Sequence, residues 1–105
     1  MQTVNVLGTE YKIISEKIDE ERNCDGYCDT SVAKIVIDEF TPEKDSKEDL
    51  TVYKKQVLRH ELIHAFIFES GLECCSDWAK NEEMVDFFAI QFPKMLRAFK
   101  EADCL

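Results

Sequence analysis

Residues 3–7, Thr-Val-Asn-Val-Leu, alternate polar and apolar, the period of a half-buried strand. Gly8-Thr9 predicts a turn, and Tyr11 to Ile18 can continue as a second strand with Tyr11 and Ile13 facing inward. Asp19 to Asn23 is polar and reads as a loop, and the segment from Cys24 to Asp29 carries the Asp25-Gly26 turn signal. Ala33 to Ile37 is short, rich in β-branched residues and ended by Asp38, which makes it the clearest strand of the chain. The pattern predicts a small antiparallel sheet of three strands, with a shorter fourth strand as an alternative.

The period then changes. Thr41-Pro42 and the charged run from Glu43 to Asp49 read as a linker, with one helical turn started by Pro42 and a capping signal at Ser46 and Asp49. From Leu50 to Glu69 apolar residues recur at helical spacing: Leu50, Val57, Leu58, Leu62, Ala65, Phe66. Ile63, Ile67 and Phe68 broaden that stripe, so this helix is expected to be largely buried, and Gly71 suits the left-handed residue just past its end. Ser76 or Asp77 can cap a second helix beginning near Trp78, with Val85, Phe88, Ala89 and Phe92 inward and Trp78 as its hydrophobic anchor. Pro93 kinks that helix or divides it from a short terminal one, Lys94 to Ala102. The expected fold class is α+β: the sheet, two core helices and a short C-terminal helix in one domain over residues 1–105.

Composition narrows the partners. The 105 residues carry a formal charge of −9, which argues against nucleic acid and anionic membrane surfaces, since both need a basic footprint. No apolar run approaches the length needed to span a bilayer, and Met1 to Tyr11 lacks a basic start followed by an apolar block, so a cytoplasmic location is expected. Five cysteines at uneven spacing (Cys24, Cys28, Cys74, Cys75, Cys104) make a poor disulfide framework and fit that location. Cys24 and Cys28 with Cys74 and Cys75 offer a second metal site, but their spacing is unlike that of zinc knuckles, and reduced thiols are the expectation.

The candidate chemistry lies in the first helix, at His60-Glu61-Leu62-Ile63-His64. Residues four apart share one face of a helix, so both imidazoles can address a single ion, while Glu61, a quarter-turn round, can reach a water beside it. This is the H-E-x-x-H arrangement, in which the Glu is a general base and not a ligand. A catalytic zinc takes three protein ligands and keeps one position open. The chain has only these two histidines, so a Cys or an acid must be the third. Glu82 is the candidate, with neighbouring Glu83 as the alternative. Asp86, four residues after Glu82, is placed to accept the free ring N–H of a ligand histidine.

His60-Glu61-x-x-His64 followed by Asn81-Glu82-x-x-x-Asp86 resembles the gluzincin pattern of thermolysin. Glu82-x-x-Val85-Asp86-x-Phe88-Ala89 is also similar to the downstream motif of ImmA/IrrE-type small peptidases, which have Asn where Asp86 stands and Gly where Ile63 stands. Size and element order are similar to the minimal gluzincins of phages and mobile elements. The resemblance covers roughly residues 33 to 92. It implies one Zn2+ per chain held by His60, His64 and Glu82, a polypeptide substrate cleaved with Glu61 as base, and a last strand (Ala33 to Ile37) that pairs with that substrate. Tyr53, Tyr27 or the metal alone would stabilise the oxyanion. The alternative function is a catalytically silent zinc-containing binding or regulatory module of the same fold.

Overall fold

A computed structural model describes residues 2–40 and 50–105. The expectations for Pro42, Ser46 and Asp49 lie outside the described residues. Among the described residues four strands form one sheet: β1 (Gln2–Val6), β2 (Thr9–Glu16), β3 (Gly26–Asp29) and β4 (Lys34–Asp38), in the order β1-β2-β4-β3. Two helices follow, α1 (Thr51–Glu69) and α2 (Glu82–Glu101). The class is α+β.

The sheet is mixed, not antiparallel. β1 and β2 form a hairpin with Val6 opposite Thr9, so its turn is Leu7-Gly8, one residue earlier than expected. Both turn residues have positive φ, the backbone twist that suits a two-residue hairpin. β2 and β4 then run parallel, with Ile13 opposite Ile35, and β3 adds on the far side of β4 in antiparallel register. Ile35, Val36 and Ile37 are all buried, as a strand covered on both faces and paired on both edges requires. β4 therefore has no free edge. The expectation that this strand pairs with a substrate is overturned: among the described residues β3 is the edge strand on that side of the sheet.

α1 packs on the sheet and α2 packs on α1. Val57, Glu61 and Ala65, spaced four apart, are the buried stripe of α1, and Val57 and Ala65 join Val6, Tyr11, Ile35 and Ile37 in the main core. A second cluster of Ile67, Ala79 and Val85, with Ile63 and Met84 against it, joins the two helices. The helices bury less than their apolar stripes suggest: α2 fully buries only Val85 and Ala89, and Phe66 and Phe92 are exposed. The far end of α1 is tied to the sheet through Glu69, whose carboxylate accepts hydrogen bonds from Tyr11 (3.0 Å) and Thr9 (2.5 Å). Gly71, just past it, has φ +83°, as expected.

α2 starts later and ends later than expected. Trp78 belongs to a short 3-10 turn, Trp78–Lys80, and is 55% exposed, so it is not the anchor of the helix. Asn81 caps α2, its side chain accepting from the Met84 N–H at 2.9 Å, and Glu82 becomes the first helical residue. No separate terminal helix exists, because α2 runs through Pro93. A proline at 93 cannot supply the N–H that the Ala89 carbonyl would accept. Arg59 of α1 supplies it instead, donating from Nε to that carbonyl at 2.6 Å.

Candidate metal centre

The cleft that carries the chemistry is built where three elements meet: the middle of α1, the first turn of α2, and edge strand β3. α1 presents two adjacent faces there. Glu61 belongs to the sheet-facing stripe, and His60 and His64 belong to the face turned to α2, about 100° round the helix. The two helices run antiparallel, since Arg59 meets Ala89 while His64 meets Glu82.

The donor atoms converge. His60 Nε2 and His64 Nε2 are 3.2 Å apart. The Glu82 carboxylate lies against both, with Oε2 3.2 Å from His60 Nε2 and Oε1 3.1 Å from His64 Nε2. Donors held 2.0–2.2 Å from one tetrahedral ion lie roughly 3.3–3.6 Å apart, so this triangle is close to the size a zinc ion sets. Glu82, and not its neighbour Glu83, is the acid between the rings. Behind His60, Asp86 Oδ1 lies 2.8 Å from Nδ1, so Nδ1 can donate to it and Nε2 is left facing Glu82 and His64. Two imidazoles and one carboxylate are the donor set of a catalytic zinc with a position to spare.

Glu61 stands beside this triangle. One of its oxygens and a ring nitrogen of each histidine fall within 4.8 Å of one another. It is 6% exposed and has no hydrogen bond or ion pair among the described residues. Burial pushes its carboxyl above the usual range, the two imidazoles pull it back, and Glu82 adds to the rise. Among the described residues no sealed side-chain oxygen lacks a partner, so the Glu61 carboxylate opens onto the cleft, where it can meet a water.

β3 closes the other side. Gly26 lets it approach: a Cβ there would meet Val57 Cγ1 at 2.9 Å and the Val36 carbonyl oxygen at 3.1 Å. Tyr53, two turns before His60 on α1, lines the same cleft and donates its hydroxyl to Asp25. Tyr27 stands on β3 with the Arg22 guanidinium 4.0 Å from its ring centre. Cys24 and Cys28 border the cleft, but all five cysteines are free, and Cys24, Cys28, Cys74 and Cys75 do not form a metal-sized cluster. Among the described residues no helix is long and apolar enough to cross a membrane. No family model, curated protein or solved structure matches the chain.

Sequence reasoning missed Asp25 and Gly26 as parts of the cleft. The Asp-Gly pair reads as a turn, and only the topology shows it leading into the edge strand beside α1.

Proposed function

We propose that this chain is a zinc-dependent peptidase of the gluzincin kind, a hydrolase acting on polypeptides in the cytoplasm. The observation that carries the reading is the triangle of His60 Nε2, His64 Nε2 and the Glu82 carboxylate, with 3.1–3.2 Å edges, set beside Glu61, which lies in the core stripe and opens onto the cleft. A structural zinc site closes its fourth position with a protein ligand and has no use for such an acid.

His60, His64 and Glu82 would hold the ion, with Asp86 fixing the tautomer of His60. Bound there, zinc supplies Lewis acidity and lowers the pKa of water towards about 7. Glu61 takes a proton from a water in the cleft and returns it to the departing amine as the peptide bond breaks. Tyr53 lines the hollow with His60 and Glu61 and would offer its hydroxyl to a developing oxyanion once Asp25 releases it. Among the described residues the outer edge of β3, and not β4, is open to main-chain pairing with an extended substrate. Five free thiols suit a reducing compartment.

The test uses the purified chain. Wild type is expected to carry about one zinc and to cleave peptides. Glu61→Gln keeps the zinc and loses about 10²–10⁴-fold in cleavage, the usual scale of a general base. A Glu61→Gln protein that cleaves as fast as wild type sinks the assignment. A wild type that binds zinc and a partner but cleaves nothing leaves the silent binding module.

A further inference from the structure

We propose that the apolar groove between α1 and α2 docks an acidic amphipathic helix of a partner polypeptide. This docking site is independent of the metal centre and of the peptidase reading.

The groove, about 310 Å³, is lined by Leu62, Ile63, Phe66, Phe88, Phe92 and Arg59. Leu62 and Phe66 each follow a histidine by two residues, so they lie across α1 from the donors of the metal centre. On α2, Phe88, Phe92, Met95 and Phe99 recur at spacings of four, three and four, which places them on one face. The apolar stripe of α2 thus runs on beyond the groove. Phe66 and Phe92 are more than two-fifths exposed, and Phe99 is exposed as well. Single exposed apolar residues are ordinary, but a continuous strip of large ones along the seam of two helices marks a contact surface. Residues 41–49, which precede α1, hold no large apolar side chain to fill it.

Charge decides what fits. Residues 51–60 and 87–100 contain no acid and six cations, Lys54, Lys55, Arg59, Lys94, Arg97 and Lys100, in a chain of net charge −9. Antiparallel packing sets these two stretches side by side, since Arg59 meets Ala89. Every ion pair among the described residues belongs to a histidine, so none of the six cations has an acidic partner there. Arg59 gives its Nε to the Ala89 carbonyl, and its two terminal nitrogens keep their hydrogens for another acceptor. Lys55, one turn before Arg59 on the face that carries Leu62 and Phe66, is exposed.

A third helix laid along the seam of two buries its apolar stripe against both, and carboxylates beside that stripe reach Lys55 and Arg59. A second copy of the chain fits less well. In a two-fold contact the patch meets itself, and Arg59 and Lys55 would approach like charges. An anionic membrane also fits less well, because the groove is concave and the rest of the chain is strongly negative.

The test uses the full chain carrying Glu61→Gln, so that bound peptide stays intact. Fluorescence anisotropy compares labelled helical peptides that share one Leu/Phe stripe and carry either Glu or Lys beside it. The Glu peptide is expected to bind at least about tenfold tighter at low salt, with the gap narrowing as salt screens it. Phe66→Ser and Lys55→Glu, both at exposed positions, should each weaken its binding by about tenfold. Lys12→Glu makes the same charge change on the sheet face turned away from α1 and should leave the affinity within about twofold. Equal affinities, no binding of the Glu peptide, or binding untouched by Phe66→Ser and Lys55→Glu overturns the proposal. So does a dimer in sedimentation that Phe66→Ser disperses, or binding to phosphatidylserine vesicles without binding to the peptide.

Discussion

The two walls of the cleft shield their side chains to different degrees. On α1, His60 and His64 are about a fifth exposed, and Glu61 sits in the core stripe. That helix is fixed by the sheet beneath it and by Glu69 bonding to Tyr11 and Thr9 at its far end. On α2, the Glu82 and Asp86 side chains are 65% and 61% exposed, and what they touch is the imidazoles themselves. Both helices are anchored by packing, α2 through Val85 and Ala89, but the site side chains of α1 are largely buried and those of α2 stand exposed. If the site holds an ion, its two nitrogens come from the shielded wall and its carboxylate from the exposed one.

The largest effects should follow that division in metal affinity. His64→Ala removes a shielded donor and is expected to abolish stoichiometric zinc binding. Glu82→Ala removes the exposed one and should leave weak but measurable binding. Asp86→Ala keeps all three donors but frees the His60 ring, an effect of about 10–100-fold in affinity. Competition against a zinc-binding dye gives the three values. A Glu82→Ala chain as tight as wild type would show that the exposed wall contributes nothing.

The packed wall should respond in stability. Gly26→Val drives a side chain into Val57 and the Val36 carbonyl, and crowding of that kind costs about 1–3 kcal/mol, read from the urea midpoint. A change under 0.5 kcal/mol would mean that β3 is not pressed onto α1. Between the helices, Arg59→Met strands the Ala89 carbonyl, at a cost of about 1–3 kcal/mol where the group is shielded from water. Pro93→Ala gives that carbonyl an N–H of its own, so the same arginine substitution in that background should cost much less. A double-mutant cycle with no coupling would show that Arg59 does not stand in for the missing bond.

Residue spacing carried most of the site but little of the topology. The four-residue interval of His60 and His64, and that of Glu82 and Asp86, fix which side chains share a face, and the structure brings those four together. Strand pairing is non-local, and the alternation of Thr3 to Leu7 cannot say which neighbour a strand takes. One signal was present: Ile35-Val36-Ile37 is an unbroken apolar run, the mark of a strand buried on both faces and common in parallel pairing. Pro93 misled for a related reason. Proline ends a helix when its lost hydrogen bond has no replacement, and the replacement here comes from Arg59, 34 positions earlier in the chain. Trp78 misled because a large apolar residue beside a capping signal looks like an anchor, yet the helix starts at Asn81.

The finest comparison is between two cysteines on the same side of the cleft. Cys24 is exposed, whereas Cys28, on β3, faces the packed wall. Burial pushes the Cys28 thiol up to about 12, and the carboxylates of Glu61, Glu73, Asp29 and Glu69 add to the rise. At pH 8.5 its thiolate should be scarcer than that of an ordinary cysteine by on the order of 10³-fold. Brief iodoacetamide treatment of the native protein should therefore label Cys24 and spare Cys28, as peptide mass spectrometry would show. The same shift links to folding with a definite sign. The fold favours the neutral thiol, so its contribution is complete below about pH 9 and is lost as pH rises towards about 12. Tyr53, held neutral by its bond to Asp25 and raised to about 12, loses its contribution over pH 10 to 12. Melting temperatures followed from pH 8 to 11 should fall less steeply in Cys28→Ser than in wild type. Equal labelling of Cys24 and Cys28, or parallel melting curves, would mean that the wall behind β3 admits water and is no more closed than the acid wall opposite.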